Sequence, residues 1–170
     1  MDLRTTHPLI LPYDESHREF LVKSLEEVRR DGKLYPPTQD ITEEQASLDR
    51  WLFNSDPFAR LTAVIDGYPV GHVSVEPAHE YLTKFLAQHF ESVDSLAEIG
   101  KLFVAPRAAG HGVGRMLLEA SIEASSEAGL QASLAVVETS VAARRLYSKL
   151  GMTEVGTFVG VHGVNHVFVA

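Results

Sequence analysis

A glycine-rich segment near residue 110 is the part of the chain whose residue types point most directly to chemistry. It runs Leu102-Phe103-Val104-Ala105-Pro106-Arg107-Ala108-Ala109-Gly110-His111-Gly112-Val113-Gly114-Arg115 and is predicted to form a strand, a tight turn and the start of a helix. Glycine lets the backbone approach a ligand closely, and the first N–H groups of a helix have no partner within the helix. Because they also lie at the positive end of the helix dipole, such a turn suits a phosphate or pyrophosphate group.

Two familiar phosphate-binding patterns do not fit this segment. The dinucleotide-binding pattern G-x-G-x-x-G, begun at Gly110 or at Gly112, requires a third glycine where Arg115 or Leu117 stands. The P-loop pattern ends in Gly-Lys followed by Ser or Thr, and no such run occurs in the sequence. The segment is therefore either an anion-binding turn of another kind or a connection that binds no ligand.

Length, composition and charge restrict the class of protein. The 170 residues, 45% hydrophobic and 22% charged, predict one domain over 1–170 with a sizeable core. A formal net charge of −8 argues against general binding to nucleic acid or to anionic membranes, because like charges repel. The chain has no cysteine, which excludes disulfides, thiolate metal sites and cysteine nucleophiles. With no signal-peptide pattern and no long apolar run, we expect a cytoplasmic protein.

The elements that position the glycine-rich segment follow from hydrophobic periodicity and turn residues. Strands are predicted at 9–11, 61–65, 70–75, 99–104, 134–137, 154–158 and 166–169. Helices are predicted from capping boxes at Ser16–Glu19 and Thr42–Gln45, over 80–90, from 113 to Gly129, and from an N-cap at Ser140 to Gly151. Hairpins that alternate with strand–helix–strand units predict an α/β (α+β mixed) fold with helices on both faces of a mixed sheet.

Two separate segments resemble the GNAT (GCN5-related N-acetyltransferase) family. The first is the strand Glu98–Val104 followed by Pro106, the turn Gly110–Gly114 and Met116-Leu117-Leu118; the second is Val141-Ala142-Ala143-Arg144-Arg145-Leu146-Tyr147-Ser148-Lys149-Leu150-Gly151-Met152. Together they span 55 of the 170 residues, and the hairpin at 61–75 lies where the family has its second and third strands. The resemblance implies a mostly antiparallel sheet of about six to seven strands with helices on both faces.

The resemblance also implies a CoA thioester, acetyl-CoA, as co-substrate. Its pyrophosphate would lie on the amides of the glycine turn, and its acyl carbonyl near the amides of Leu102 to Val104. The implied cofactor-binding residues are Leu102, Phe103, Val104, Ala109, Gly110, His111, Gly112, Val113, Gly114, Arg115, Ser140, Ala143 and Tyr147. The chain departs from the family at Ala109, where Gln or Arg is usual and where Arg107 is a candidate substitute, and at Ser140, where Asn is frequent.

Three side chains are candidates for proton transfer. Tyr147 matches the family tyrosine that protonates the departing thiolate; the alternative is a core tyrosine with its hydroxyl at the edge. Glu98 is a candidate general base that acts through a water, and the alternative is an exposed, solvated carboxylate. His72 is a second candidate base, and the alternative is a structural histidine. His162 and His166 lie four apart on a strand-like segment with too few carboxylate partners, so no metal is expected.

These features predict an acyl-CoA-dependent N-acyltransferase that moves an acetyl group to a primary amine of a small molecule or peptide by direct attack in a ternary complex. O-acyl transfer, or an acyl-CoA-binding sensor or interaction domain without catalysis, are the alternatives. We expect residues 14–58 and the connection 76–95 to set the acceptor, no nucleic-acid or membrane partner, and a homodimer as one option for assembly.

The charge is divided unevenly along the chain. Residues 1–100 carry a net charge of −9, whereas residues 101–170 carry +1. The acidic part would attract a cationic amine and the near-neutral part would tolerate the phosphates of CoA. Solvated acidic helices are the alternative explanation.

Overall fold

A computed structural model of the protein describes residues 7–31, 35 and 45–170. Its elements are β1 (Leu9–Pro12), α1 (Arg18–Arg30), α2 (Gln45–Phe53), β2 (Ala59–Ile65), β3 (Tyr68–Pro77), α3 (Glu80–Leu86), β4 (Leu96–Val104), α4 (Val113–Glu127), β5 (Gln131–Val137), α5 (Val141–Lys149), β6 (Thr153–Gly160) and β7 (Gly163–Val169). Single 3-10 turns at Glu15–His17 and Pro106–Ala108 precede α1 and α4.

The strands form one sheet in the order β1-β2-β3-β4-β5-β7-β6. Every neighbouring pair is antiparallel except β4 and β5, which are parallel. Helices α4 and α5 pack on one face around Val73, Ile99 and Leu134, whereas α1 and α2 pack on the other face against Phe103. The predicted mixed, mostly antiparallel sheet with helices on both faces is therefore confirmed.

The parallel pair is short. Pairing between β4 and β5 ends at Glu98 and Ser133, although β4 continues to Val104 and β5 to Val137. The two strands therefore diverge beyond Glu98, and we call the gap between them the β4–β5 cleft. A gap in a sheet leaves backbone N–H and C=O groups without strand partners, so it can bind an extended ligand through the main chain.

A β-bulge lies in β4 beside the cleft. His72 on β3 pairs with Phe103, and Ser74 pairs with Gly100, so Val73 alone faces both Lys101 and Leu102. Lys101 has a φ of 51°, a left-handed conformation that is unfavourable for a residue with a side chain. The extra residue changes the direction of the peptide groups in the strand segment that borders the cleft.

Some predicted boundaries differ from the structure. The capping box predicted at Ser16–Glu19 is instead formed by Asp14 and His17, and it caps the 3-10 turn that precedes α1. Asp14 accepts the Ser16 N–H at 2.9 Å, and its own N–H donates to His17 Nδ1 at 3.1 Å. The N-cap of α1 itself is His17, without a side-chain capping bond. The helix predicted over 80–90 ends at Leu86. The capping box expected at Thr42–Gln45 lies mostly outside the described residues. Among the described helices, none is long and apolar enough to cross a membrane.

Candidate active site

The glycine turn at the start of α4 has the backbone geometry of an anion-binding site. Gly110 and Gly112 adopt φ values of 81° and 73°, and Gly112 is the N-cap of α4. Since glycine has no side chain to cap the helix, no side-chain hydrogen bond covers the first amides of α4. Residues 109–112 are exposed, whereas Val113 is buried and anchors the helix in the core. The turn therefore presents N–H groups to solvent on a fixed support.

Glu98 lies at the closed end of the β4–β5 cleft and is buried. Its Oε2 accepts the backbone N–H of His79 at 2.9 Å and lies 2.6 Å from Nδ1 of the same residue. Its Oε1 accepts the hydroxyl of Tyr81. The alternative interpretation of Glu98 as an exposed, solvated carboxylate is therefore wrong, because His79 and Tyr81, which follow β3, cover it and donate hydrogen bonds to it.

Sequence reasoning did not single out His79 and Tyr81. They follow β3 directly, and His79 is the N-cap residue of α3. Their rings stack at 5.9 Å between centroids. The hydrogen bond to Glu98 raises the pKa of His79 above its ordinary value, and burial followed by the Glu98 charge raises that of Tyr81. In the sequence, these two residues are marked only as a histidine and a tyrosine in a long connection after a strand. Without the fold, this pattern is weak evidence for a functional site.

Tyr147 projects from α5 into the core on the opposite face of the sheet. It packs in the cluster that contains Ile99 of β4 and Leu134 of β5, with an edge-to-face contact to Phe168 at 5.5 Å. Burial raises the pKa of Tyr147 to about 12, so its hydroxyl keeps its proton at neutral pH. Tyr35 packs, partly buried, against the core cluster of α1 and α2 on the other face of the sheet, and burial raises its pKa.

A family model described as the acetyltransferase (GNAT) family matches residues 22–152. The chain belongs to the GNAT family. A comparison with curated proteins found no match. The matched stretch contains β4, the glycine turn, α4 and α5, the elements on which the resemblance was based. Membership supports acyltransferase activity in general, with acetyl-CoA as co-substrate.

The structure of this GNAT protein is similar to several solved structures. A GCN5-related N-acetyltransferase from Kribbella flavida has a TM-score of 0.72 and 24% identity, with 96% of each chain covered. The ribosomal-protein-alanine N-acetyltransferase from Brucella melitensis has a TM-score of 0.69 and 24% identity, with 95% of this chain and 98% of that chain covered. The yncA protein from Salmonella typhimurium, solved with acetyl-CoA, has a TM-score of 0.69 and 19% identity, with 95% and 91% covered. At these identities the likeness shows the fold alone.

The departure from the family at Ala109 is not compensated by Arg107. The Arg107 guanidinium donates to the Glu27 carboxylate and, at 3.0 Å, to Ser24 Oγ, so it points toward α1 and away from the turn. Arg115 is held by Glu119 at 2.9 Å. The His111 ring lies against the carbonyl of Ala109, at 3.2 Å. Contacts to an anion at this turn therefore depend mainly on the backbone.

The remaining cofactor-binding candidates lie on β4 and at the start of α5. Leu102 and Val104 are half-buried in the strand that borders the β4–β5 cleft, whereas the side chain of Phe103 is buried against α1 and α2. Ser140 is the N-cap of α5, as predicted, but its side chain makes no capping hydrogen bond. Ala143 packs against the same cluster as Tyr147. The side chain of Phe103 is thus directed into the core.

The side chain of His72 lies in the interior of the protein. It is fully buried, its Nδ1 lies 2.8 Å from the carbonyl of Lys101 in the bulge, and its ring stacks on Phe103 at 5.8 Å. Burial lowers the pKa of His72 to about 4. Since a carbonyl only accepts, Nδ1 carries the proton and the imidazole supports the bulge. This geometry favours the structural alternative for His72.

A second buried carboxylate, Glu76, lies beside the bulge. It accepts hydrogen bonds from Ser74 at 2.8 Å and Ser55 at 2.9 Å and pairs with Lys101 Nζ at 3.2 Å. Burial raises the pKa of Glu76, but the hydrogen bonds and the Lys101 charge outweigh it, and the net pKa is lowered. The pair holds the side chain of the strained Lys101 against the α2 side of the sheet.

No metal site is evident in the part of the chain that the structure describes, where no group of three or more His, Cys, Asp or Glu side chains could hold an ion. His166 contacts Glu154 and lies 3.5 Å from Glu138. His166 lies on β7, between β5 and β6 in the sheet.

Proposed function

We propose that this GNAT protein transfers an acetyl group from acetyl-CoA to a primary amine of a small molecule or peptide, by direct attack in a ternary complex. The observation that carries the proposal is the β4–β5 cleft, with Glu98 at its closed end on one face of the sheet. On the other face, Tyr147 lies in the core cluster that contains Ile99 of β4 and Leu134 of β5. Tyr147 is the candidate acid, and Glu98 with its neighbours is the candidate base. Their positions on opposite sides of one gap suit a reaction in which one proton leaves the nucleophile and another reaches the leaving group.

The roles of the chain's own groups follow from this arrangement. The amides of the glycine turn would hold the pyrophosphate, and amides of Leu102 to Val104 would face the carbonyl oxygen as its negative charge develops. The amine nitrogen forms a bond to the carbonyl carbon, and the carbon–sulfur bond breaks. The proton lost by the amine moves toward the Glu98 cluster, and Tyr147 gives a proton to the thiolate. No cysteine is present to carry the acetyl group, which supports direct attack.

The position of each carboxylate is a better guide to the charge of the acceptor than the net charge of the first part of the chain. Several acidic residues of the first part form ion pairs on exposed helix surfaces: Glu15 with Arg18, Glu19 with Lys23, Glu26 with Arg30 and Glu80 with Lys84. Only carboxylates near the reaction centre act strongly, because salt screens surface charges over about 10 Å. Among the described residues, the buried carboxylates are Glu76 and Glu98. Because Glu76 is already paired with Lys101, Glu98 is the one that favours a cationic acceptor.

The test combines binding with turnover. We expect acetyl-CoA to raise the melting temperature, and a panel of primary amines to cause acceptor-dependent release of free CoA thiol. A parallel panel of alcohols tests O-acyl transfer. Stabilisation without thiol release from any acceptor would favour the non-catalytic binding domain, and no stabilisation at saturating acetyl-CoA would contradict both interpretations.

A further inference from the structure

We propose that His79 is the residue that takes the proton from the acceptor amine, and that Glu98 positions it. The inference rests on the proposed N-acyl transfer and assigns its proton acceptor to a residue in the connection between β3 and β4. It changes the role of Glu98 from a base that acts through a water to the carboxylate of a carboxylate–imidazole pair.

The carboxylate of Glu98 is occupied by hydrogen bonds from the chain itself. Both oxygens of Glu98 receive donors from the chain: Oε2 accepts the backbone N–H of His79 and lies 2.6 Å from its Nδ1, and Oε1 accepts the hydroxyl of Tyr81. An amine could reach either oxygen of Glu98 only by displacing one of these donors.

The contact with Glu98 determines which ring nitrogen of His79 carries the proton. An ionised carboxylate only accepts hydrogen bonds, so the short contact to Glu98 places a proton on Nδ1. In the neutral ring Nε2 is then the acceptor. No hydrogen bond from the described residues reaches His79 Nε2, so this lone pair is directed to whatever lies outside the pair.

The imidazole of His79 is accessible from solvent, whereas the carboxylate of Glu98 is not. The side chain of His79 is 59% exposed, whereas that of Glu98 is 8% exposed. Glu98 is the last residue of β4 paired with β5, so the imidazole lies over the closed end of the β4–β5 cleft. An amine that approaches the cleft from the side of α1, α2 and α3 meets the imidazole before it meets the carboxylate.

The charges around the pair favour the imidazolium. Glu98 on β4 contributes most, Glu76 on β3 adds to it, and Lys101 on β4 opposes it. Tyr81 on α3 stacks on the ring and is neutral, because its pKa is raised. A protonated acceptor first loses one proton to solvent, because only the neutral amine has a lone pair. As the carbon–nitrogen bond then forms, an N–H proton of the amine passes to Nε2, the carbon–sulfur bond breaks, and the thiolate receives the proton of Tyr147.

The test is the pH dependence of kcat and kcat/KM in the full-length protein, with thiol release as the readout. A base works in its deprotonated form, so the rate of the wild type should rise with pH through a pKa above 6.5. H79Q should lower kcat by about 100-fold, leave the KM for acetyl-CoA nearly unchanged and abolish this limb. E98Q should retain part of the activity and move the limb to lower pH, a shift that loss of stability alone would not cause.

His89 supplies the matched control, because it is an exposed histidine in the same connection, with its ring 4.9 Å from that of Phe85. H89Q should keep both the rate and the pH limb of the wild type. Wild-type turnover combined with an unchanged kcat and limb in H79Q would overturn the assignment of His79 alone. A wild type that releases no thiol with any amine would overturn the proposed function and this inference together.

Discussion

Glu76 on β3 lies directly opposite Glu98 on β4, and both carboxylates are buried. Two buried negative charges on adjacent strands are tolerated only where each has its own donors. Glu76 has Lys101 and two serines, whereas Glu98 has His79 and Tyr81. One carboxylate thus pairs with a lysine, whose pKa is lowered by burial, and the other with an imidazole, whose pKa is raised by the hydrogen bond to Glu98.

Loss of the Lys101 ammonium group should lower the stability of the protein. In K101M the Glu76 carboxylate would remain buried without its partner, since the side chains of Lys101 and Glu76 are 11% and 4% exposed. We expect a loss of about 3 kcal/mol in the free energy of unfolding, measured with urea at pH 7. K84M removes the exposed pair with Glu80 and should cost no more than about 0.5 kcal/mol. Equal losses in the two variants would contradict the importance of the buried pair.

The buried His72 should make stability depend on pH. Its folded-state pKa of about 4 lies below the ordinary 6.5, so the folded protein binds fewer protons than the unfolded chain between these values. Its contribution to stability is therefore fully present above pH 6.5 and is lost as the pH falls toward 4. The slope it adds is at most about 1.4 kcal/mol per pH unit. In H72Q, urea unfolding at pH 4 to 7 should show a shallower dependence, and an identical dependence would exclude this role.

The glycine turn can be tested with two alanine variants of one helix. Gly112 precedes α4 and Gly129 follows it, and both have a φ of 73° with open space where a Cβ would lie. Each substitution should cost about 1 kcal/mol of stability. Only G112A should weaken acetyl-CoA binding, by about tenfold in a calorimetric titration, because only this turn presents amides to the phosphates. Similar affinities for both variants would remove the turn from the binding site.

Tyr147 should affect turnover more than binding. We expect Y147F to lower kcat by at least about tenfold with a much smaller change in the KM for acetyl-CoA, since only the proton donor is removed. Because its pKa is raised to about 12, the wild type should show no loss of kcat from Tyr147 ionisation below pH 10. Y68F removes an exposed hydroxyl from the β2–β3 hairpin and is the control. An unchanged kcat in Y147F across the pH range would assign the tyrosine to the core.

Local patterns in the sequence predicted most of the fold. The glycine turn and the apolar stripe of α4 are contiguous, so spacing alone indicated a strand, a turn and a helix. The β4 strand was predicted from Ile99, but it begins at Leu96, because pairing with β5 extends it through the polar Glu98. Hydrophobic periodicity cannot detect a strand segment whose polar side chain is buried by a distant part of the chain.

Arg107 and His79 show that the sequence does not reveal which side chains meet at the site. Arg107 lies beside the glycine turn in sequence, yet its partners are on α1, 80 and 83 residues earlier. His79 lies 19 residues before Glu98, and the antiparallel return from β3 to β4 brings the two together. Proximity along the chain was misleading in the first case and uninformative in the second.

By itself the sequence determined the mixed fold class, the strand, glycine turn and helix near residue 110, and the absence of a cysteine nucleophile, because these depend on residue identity and short-range spacing. The tertiary structure decided which ionisable groups are buried, that Glu98 is covered by His79 and Tyr81, and that Lys101 pairs with Glu76 beside the bulge. These properties depend on strand register and on the packing of segments distant in sequence. The free energy of a buried charge is set by its neighbours in space, which local patterns do not encode.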